Sequence, residues 1–299
     1  MTLIDLLQSN ATVLVVLSIA LGLLVGSFLN VVIYRIPVML QREWRQQCCE
    51  FLEIDEKTTN DAGTAPQHKV FNLVKPDSHC PQCNAPVRAW QNIPIVSYVL
   101  LRGKCAKCKA SISLRYPIIE AVTGVLSGLV AWQFGATWLT LALLVLTWSL
   151  VALTMIDFDH QLLPDNITLP LLWLGLAVNT LLPDSAVGPR DAVLGAILGY
   201  LSLWSIYWIF KLLTGKEGMG YGDFKLLAAL GAWMGYQSLL LIVILSSLVG
   251  AVVGIALLLF LGRDRNIPIP FGPYLAGAGF IALLWGEQFM TLYINTMVP

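Results

Sequence analysis

Two aspartates lie at the ends of apolar segments in which charged residues are otherwise rare. Asp157 closes one apolar run, and Asp223 opens another directly after the sequence Gly-Tyr-Gly. Ionisable side chains at membrane depth are energetically costly, so they mark functional sites by default. Two carboxyl groups that lie close together cannot both ionise easily, so one stays protonated as an acid while the other activates water. Such a pair could cleave peptide bonds, provided that both aspartates lie on the same face of a membrane.

Structural and metal-binding roles are open alternatives for these acids. Asp223 could cap its helix, because aspartate is favoured at helix N-termini. Asp157 and Asp159 could together hold Mg²⁺ against a phosphate substrate. Other hydrolytic sites are excluded by motif, since the sequence contains neither H-E-x-x-H nor G-x-S-x-G,. From the residues alone, a dyad of Asp157 and Asp223 is one of the interpretations that stay open.

A second candidate site consists of two C-x-x-C pairs with 21 residues between them. Four thiolates from two such pairs typically bind one structural Zn²⁺ tetrahedrally. Disulfide bonds and thiol redox chemistry are the alternatives, but a redox centre would need only one pair. Cys48 and Cys49 are adjacent in sequence and receive no role. The predicted metal ligands are Cys80, Cys83, Cys105 and Cys108.

The elements that must position these residues are membrane helices. Hydrophobic residues make up 57% of the 299 residues and charged residues only 12%, against about 25% charged in a soluble domain,. Each span needs about 20 apolar residues, and the segment 224–236 is short by this measure. The predicted fold class is an all-α polytopic membrane protein with about eight transmembrane helices, at 12–34, 116–135, 137–156, 167–182, 191–213, 224–236, 237–261 and 273–295.

The charge distribution predicts how the chain is oriented. Twelve of the 18 Lys and Arg residues lie between Arg35 and Arg115, and cytoplasmic segments are rich in these residues,. The N-terminus is therefore expected in the periplasm and the polar segment in the cytoplasm, where disulfide bonds are disfavoured. Counting spans then puts 157–166, 214–223 and 262–272 on the cytoplasmic side, with both aspartates on one face. The formal net charge is zero, so nothing indicates nucleic-acid binding.

These observations predict three domains. They are a first span at 1–34, a small cytoplasmic zinc-knuckle domain at 35–115 and a transmembrane core at 116–299. The polar domain is too small for a large hydrophobic core, which favours a metal ion as its support. Within it, residues 46–66 form an insert without an assigned role.

Several helices carry glycine pairs at four-residue spacing. Such pairs let helix backbones approach closely. We expect most of them to pack the helix bundle itself, with a substrate helix as the other candidate partner. The pairs are Gly22/Gly26, Gly124/Gly128, Gly195/Gly199 and Gly250/Gly254.

Short motifs are spread over nearly the whole chain. They are the run from Gly26 to Arg35, the two C-x-x-C pairs, Asn92-Ile93-Pro94, Arg115-Tyr116-Pro117-x-x-Glu120, Asp157-x-Asp159-x-x-x-x-Pro164-Asp165, Gly220-x-Gly222-Asp223-x-Lys225 and Pro270-Phe271-Gly272-Pro273. As a set they resemble the bacterial type IV prepilin peptidases, bifunctional leader peptidases and N-methyltransferases of pilus and type II secretion systems.

The resemblance implies an intramembrane aspartyl protease of the GxGD type, with Asp157 and Asp223 as its catalytic residues. Its substrates would be prepilins and pseudopilins, each with a short basic leader, a glycine and a hydrophobic helix. Cleavage after that glycine would occur at the cytoplasmic face of the bacterial inner membrane, among membrane lipids. The new N-terminus would then be methylated from S-adenosylmethionine, for which no binding residues are assigned.

Two other function classes fit parts of the sequence. One is a metal-dependent enzyme that acts on lipid phosphates through Asp157 and Asp159. The other is a non-catalytic assembly factor whose zinc domain docks secretion components. An activity that is lost when a chelator is added would favour the first class. A protein that keeps its function when Asp157 and Asp223 are replaced by asparagine would favour the second.

Overall fold

Helices make up most of the structure. The computed structural model describes residues 7–53, 71–183, 185, 187–261 and 269–297. Its α-helices are α1 (Ala11–Phe51), α2 (Val96–Leu100), α3 (Arg115–Phe134), α4 (Trp138–His160), α5 (Asp165–Leu181), α6 (Pro189–Thr214), α7 (Tyr221–Met234), α8 (Leu239–Leu261) and α9 (Gly272–Met297). Two short 3-10 helices cover Ala89–Asn92 and Tyr236–Ser238. The described residues contain no β-strand, so the all-α fold class is confirmed.

Among the described residues, five helices are long and apolar enough to cross a membrane: α1, α3, α4, α6 and the helical segment Tyr236–Leu259. They match five of the predicted spans. The other three predicted spans fall in α5, α7 and α9; α5 has 17 residues and α7 has 14, against about 20 for a full crossing. The chain is therefore a multi-pass membrane protein, whereas the number of eight spans stays a prediction.

The first helix is much longer than its predicted span at 12–34. The 41 residues of α1 correspond to a length of about 60 Å,, and the hydrocarbon core of a bilayer is about 30 Å thick. The helix continues through Arg35 and ends at Phe51, so the first part of the polar segment is helical. It includes the beginning of the insert 46–66. Residues 54–66 of that insert, and residues 262–268 of the third predicted cytoplasmic segment, lie outside the described residues.

The chain divides into two compact units, Ala20–Val125 and a larger one made of Met1–Ile19 and Leu126–Pro299. In the larger unit, α5, α6 and α9 pack around α7. Every residue of α7 from Phe224 to Met234 is buried except Lys225, which is half-buried. The short helix α7 is therefore the centre of this unit rather than a helix on its surface.

Glycines allow α6 and α7 to pack with their backbones in contact. A Cβ atom at Gly195 would collide with the backbone carbonyl of Gly231, and a Cβ atom at Gly231 would collide with that of Gly195. Gly199 approaches the backbone of Leu227 and Ala228 in the same way. Close contacts between small residues stabilise helix pairs in membranes through van der Waals packing. The Gly195/Gly199 pair therefore packs the bundle itself, as expected.

Polar side chains satisfy the backbone at the C-terminal end of α7. The last carbonyl groups of a helix lack partners within the helix, and in an apolar environment they must find them elsewhere. The buried amide of Asn179 donates to the carbonyls of Ala232 and Trp233 at 2.7 and 3.1 Å. The indole N–H of Trp233 donates to the carbonyl of Leu171 at 2.9 Å. These bonds fix α5 against α7 at the end opposite to Asp223.

The smaller unit contains two turns with the same hydrogen bonds. In the first, the N–H of Cys80 donates to the carbonyl of Ala85 at 2.9 Å. In the second, the N–H of Cys105 donates to the carbonyl of Ala110 at 2.8 Å. Each turn is closed by one isolated β-bridge, His79 with Pro86 and Lys104 with Ser111. The two C-x-x-C pairs therefore occupy equivalent positions in two copies of one local structure.

We expect Gly195→Leu to destabilise the larger unit, because the new side chain would force α6 away from α7. Overpacking of this kind costs about 1–3 kcal/mol or more. The free energy of unfolding can be measured by circular dichroism in mixed micelles of increasing SDS content. Gly277→Leu is the matched control, since a Cβ atom there has no neighbour within 4 Å. Equal stability of the two variants would contradict the proposed backbone contact.

Candidate active site

Asp157 lies in the last turn of α4. The helix ends at His160, and Gln161 then adopts a left-handed conformation with φ 53°. The Asp157 side chain is buried, with 5% of its surface exposed, whereas the neighbouring Asp159 is exposed. A carboxyl group buried at the end of an apolar helix is costly unless it has a polar partner.

That partner comes from α9. The N–H of Gly272, the first residue of α9, donates to Oδ2 of Asp157 at 2.9 Å. A Cβ atom at position 272 would lie 2.7 Å from the same oxygen, so only glycine lets the backbone come this close. The N-terminal end of a helix carries a positive partial charge and is a favourable place for a carboxylate. Gly272 occurs in one of the motifs quoted from the sequence, but its role at this site was missed.

Asp223 lies in the first turn of α7, directly after the Gly-Tyr-Gly sequence. Its side chain is buried, with 6% of its surface exposed. Its N–H donates to the carbonyl of Gly220, the N-cap of the helix, at 3.2 Å. A Cβ atom at Gly220 would lie 3.7 Å from Oδ2 of Asp223, so the turn passes close to the carboxyl group.

Leu163 connects the surroundings of the two aspartates. Its buried side chain follows α4 and lies against two glycines. A Cβ atom at Gly222 would lie 2.7 Å from Cβ of Leu163, and one at Gly272 would lie 3.2 Å from Cδ2 of Leu163. The ends of α4, α7 and α9 therefore meet around one leucine, which brings together the segments that carry Asp157 and Asp223. Two carboxyl groups in such a place can share a proton and act as acid and base.

The other acids of this region point elsewhere. Asp159 is exposed while Asp157 is buried, because residues two apart on a helix project about 200° from each other. Asp165 forms a salt bridge with Lys225, at 2.7 Å. This geometry does not favour one ion held by Asp157 and Asp159, which the lipid-phosphate interpretation requires.

The four cysteines of the two C-x-x-C pairs come together in the smaller unit. Their sulfur atoms all lie within 4.8 Å of one another, and among the described residues no other such cluster of His, Cys, Asp or Glu occurs. The sulfurs of Cys80 and Cys108 are 3.7 Å apart. Four sulfurs at about 2.3 Å from a tetrahedral Zn²⁺ are separated by about 3.8 Å. The spacing of the cluster therefore fits zinc.

Backbone N–H groups of the two turns stabilise thiolates at this cluster. Those of Cys108 and Lys107 donate to the sulfur of Cys105 and lower the pKa of its thiol to about 6. Those of Cys83 and Gln82 lower the pKa of Cys80 in the same way. Because a thiolate is the form that binds metal, both turns are suited to hold a cation.

The fold and the site define a multi-pass membrane protein with a buried pair of aspartates at the junction of three helix ends. Comparison with known sequences agrees. The sequence profile described as Bacterial Peptidase A24 N-terminal domain matches residues 20–134, and that of the Type IV leader peptidase family matches residues 144–255. No solved structure matches the chain.

Relatives match over nearly the full length of the chain. The chain is 56% identical to the prepilin leader peptidase/N-methyltransferase of Stutzerimonas stutzeri, over 99% of both chains. It is 53% identical to the protein of the same name from Pseudomonas aeruginosa, over 99% of this chain and 98% of the relative. The chain therefore belongs to the Type IV leader peptidase family. The resemblance stated from the motifs is confirmed, and so is the prediction that the chain is a peptidase.

Gly272→Ala should lower leader-peptidase activity. The added methyl group would displace the Asp157 carboxyl group, and a misplacement of about 1 Å in an active site can reduce the rate on the order of 10²-fold. The rate of leader removal by the purified variant measures this effect. Gly277→Ala, in the same helix but without a neighbour within 4 Å, should cleave like the wild type. Full activity of Gly272→Ala would show that the close contact does not matter.

Proposed function

We propose that Asp157 and Asp223 are the catalytic pair of an intramembrane aspartyl protease that removes the leader peptides of type IV prepilins and type II secretion pseudopilins. The observation that carries this proposal is the burial of both carboxyl groups where α4, α7 and α9 meet. The name that both relatives share, prepilin leader peptidase/N-methyltransferase, supports the substrate class.

Hydrolysis by this pair needs one ionised and one protonated carboxyl group. The ionised group takes a proton from water, and the water oxygen attacks the carbonyl carbon of the scissile bond. The protonated group gives its proton to the carbonyl oxygen. The tetrahedral intermediate then collapses: one of its hydroxyl groups returns a proton to the pair as the carbonyl reforms, the C–N bond breaks, and the leaving amine receives a proton from the pair. Gly272 holds the Asp157 side chain in place throughout, through its N–H bond to Oδ2.

The substrate reaches this site as a membrane helix with a short leader. Cleavage follows a glycine, because glycine lets the chain leave the helical conformation at little steric cost. The basic leader stays in the cytoplasm, in line with the distribution of positive charge in membrane proteins. Both aspartates therefore belong at the cytoplasmic face of the bacterial inner membrane.

The topology proposed for this function has eight spans. The five long apolar helices are completed by α5, α7 and α9, the N-terminus lies in the periplasm, and the segment 35–115 lies in the cytoplasm. The twelve Lys and Arg residues of that segment support this orientation,. The burial of α7 within the larger unit supports its role as a short, protein-enclosed span.

Methylation of the new N-terminus is the second proposed activity. It is supported by the two-part name of the relatives. S-adenosylmethionine would supply the methyl group, which is transferred to the amine that cleavage releases. The nitrogen that accepts the methyl group belongs to a peptide bond until the leader is removed and is a nucleophilic amine only afterwards, so cleavage comes first.

A structural zinc ion is proposed for the segment 35–115. Cys80, Cys83, Cys105 and Cys108 would hold it, one from each end of the two equivalent turns. The ion would join the two turns, which otherwise depend on local hydrogen bonds and a small apolar core. No step of peptide hydrolysis uses it.

We expect asparagine at Asp157 or at Asp223 to abolish cleavage, because neither variant can divide acid and base between two carboxyl groups. The rate should fall by about 10³-fold or more. The measurement is mass spectrometry of the mature N-terminus of a co-expressed type IV prepilin, which reports leader removal and the added methyl group together. Asp159→Asn, an exposed neighbour of Asp157, should leave both modifications intact.

The same experiment separates the rival functions. A folded Asp157→Asn or Asp223→Asn variant that still cleaves prepilin at the wild-type rate would refute the dyad. If pilus assembly proceeded normally in such variants with the leader retained, a non-catalytic assembly role would replace it. Loss of leader cleavage on addition of a chelator, with the fold intact, would show that cleavage depends on a metal ion and would count against the aspartate pair.

The purified protein should contain about one Zn²⁺ per chain. Cys105→Ser removes one of four thiolates and should lower the zinc content several-fold, whereas Cys48→Ser, outside the cluster, should keep it. Elemental analysis by mass spectrometry gives the metal content of both variants. Protein purified without chelators that contains no zinc would remove this proposal.

A further inference from the structure

We propose that the salt bridge between Lys225 and Asp165 is a positioning element that holds Asp223 in register with Asp157. The proposal rests on the catalytic roles given to the two aspartates above. Neither Lys225 nor Asp165 is assigned to the reaction itself. They act through the backbone segments that carry the catalytic carboxyl groups.

The salt bridge joins the N-terminal ends of α5 and α7. The ammonium group of Lys225 lies 2.7 Å from both carboxylate oxygens of Asp165. Asp165 is the first residue of α5, and Lys225 is the fifth residue of α7. The two residues are 60 positions apart in sequence. The contact therefore joins two helix N-termini that the chain itself does not connect.

The two partners stand directly beside the two halves of the site. Asp223 lies in the same turn of α7 as Lys225. On the other side, the short segment Gln161–Pro164 leads from the end of α4, which carries Asp157, to Asp165. The salt bridge thus closes a ring that runs from Asp157 to Asp165, across to Lys225 and back to Asp223. Besides this bridge, the side chain of Leu163 in the segment packs against Gly222 of α7.

Apolar packing and a salt bridge fix different degrees of freedom. The contact of Leu163 with Gly222 limits how closely α7 approaches the segment, but van der Waals contact has little directional preference. A lysine ammonium held 2.7 Å from two carboxylate oxygens also limits sliding and rotation of α7, because these short charged hydrogen bonds tether one point of the helix to Asp165,. The pair therefore determines where along its helix axis Asp223 stands.

The side chain of Lys225 is not placed to act directly on the substrate or on the carboxyl group of Asp223. Residues two apart on a helix project about 200° from each other. The Asp223 side chain is buried, while the side chain of Lys225 is 28% exposed and that of Asp165 51% exposed. The lysine therefore turns away from the carboxyl pair, and its influence on the reaction is mechanical.

Stability and catalysis respond to this pair on different scales. Salt bridges with this much exposure contribute little to the free energy of unfolding. Catalysis is far more sensitive, since a displacement of about 1 Å can reduce the rate on the order of 10²-fold. Removal of the pair should therefore lower the rate of cleavage without unfolding the protein.

The test uses the full-length enzyme in detergent micelles and a purified type IV prepilin with its leader. Lys225→Met, which keeps the apolar stem and removes the charge, should lower kcat about 10- to 100-fold and leave KM within about twofold. Lys225→Arg can still bind both carboxylate oxygens and should keep most of kcat. The exchange Asp165→Lys with Lys225→Asp should recover part of the kcat that each single change loses.

Asp191→Asn is the matched control. Asp191, in the first turn of α6, accepts a hydrogen bond from Gln237 at 3.2 Å. Gln237 follows the C-terminal end of α7, the end opposite to Asp223. Removing its charge should leave kcat unchanged. The thermal unfolding midpoint of every variant is recorded beside its kinetics, because a positioning role predicts loss of kcat at an unchanged midpoint.

Three results would overturn the proposal. They are a wild-type kcat for Lys225→Met, a loss of kcat that follows the loss of thermal stability, and single and exchanged variants that are equally impaired. Asp157→Asn and Asp223→Asn are assayed in parallel. If those variants keep wild-type cleavage, the proposed function itself fails, whereas their inactivity beside a fully active Lys225→Met rejects only the positioning role.

Discussion

The burial of two carboxyl groups at the end of an apolar helix bundle is the constraint on which the larger unit depends. Each group loses favourable hydration when it leaves water, and each must regain it from hydrogen bonds or from a shared proton. Asp157 obtains a backbone N–H from Gly272, and Asp223 lies at the N-terminus of α7, where the partial charge of the helix is positive. The arrangement therefore needs three helix ends at one point.

Bringing three helix ends together requires helices of different lengths. α7 has 14 residues and is enclosed by α5, α6 and α9, so Asp223 can enter the bundle without contact with lipid. Glycines make this possible, because Gly195 and Gly231 let α6 and α7 touch through their backbones. Asn179 then satisfies the carbonyls at the far end of α7. A short central helix, closely packed on all sides, is what presents the second carboxyl group.

The smaller unit depends on local hydrogen bonds and on its cysteine cluster rather than on close helix packing. Its two equivalent turns bury little apolar surface, and most residues of the C-x-x-C pairs are partly exposed. Backbone N–H groups aimed at the sulfurs stabilise thiolates, which suits a bound cation better than a disulfide. If the cluster holds the proposed zinc ion, the stability of this unit depends on metal binding.

Much of the candidate site was predictable, because charge in an apolar sequence is conspicuous. Asp157 and Asp223 stand out by residue type alone, and the cysteine cluster follows from spacing. Gly272 could not be found in this way, since glycine has no side chain and its contact with Asp157 spans 115 positions. The length of α1 was also missed, because the change from apolar to polar residues near Arg35 suggests a boundary although the helix continues to Phe51. Lys225 and Asp165 were each visible in a motif, but their salt bridge depends on tertiary packing.

Binding of a transition-state analogue tests the central claim most directly. A prepilin peptide with a secondary alcohol in place of the scissile amide carbonyl resembles the tetrahedral intermediate, and such analogues bind about 10²-fold or more tighter than substrates. Isothermal titration calorimetry in micelles should show tight binding to the wild-type enzyme and a loss of most of that affinity in both Asp157→Asn and Asp223→Asn. If either variant bound the analogue as tightly as the wild type, the hydroxyl group would not lie between two aspartates, and the catalytic pair would be wrong.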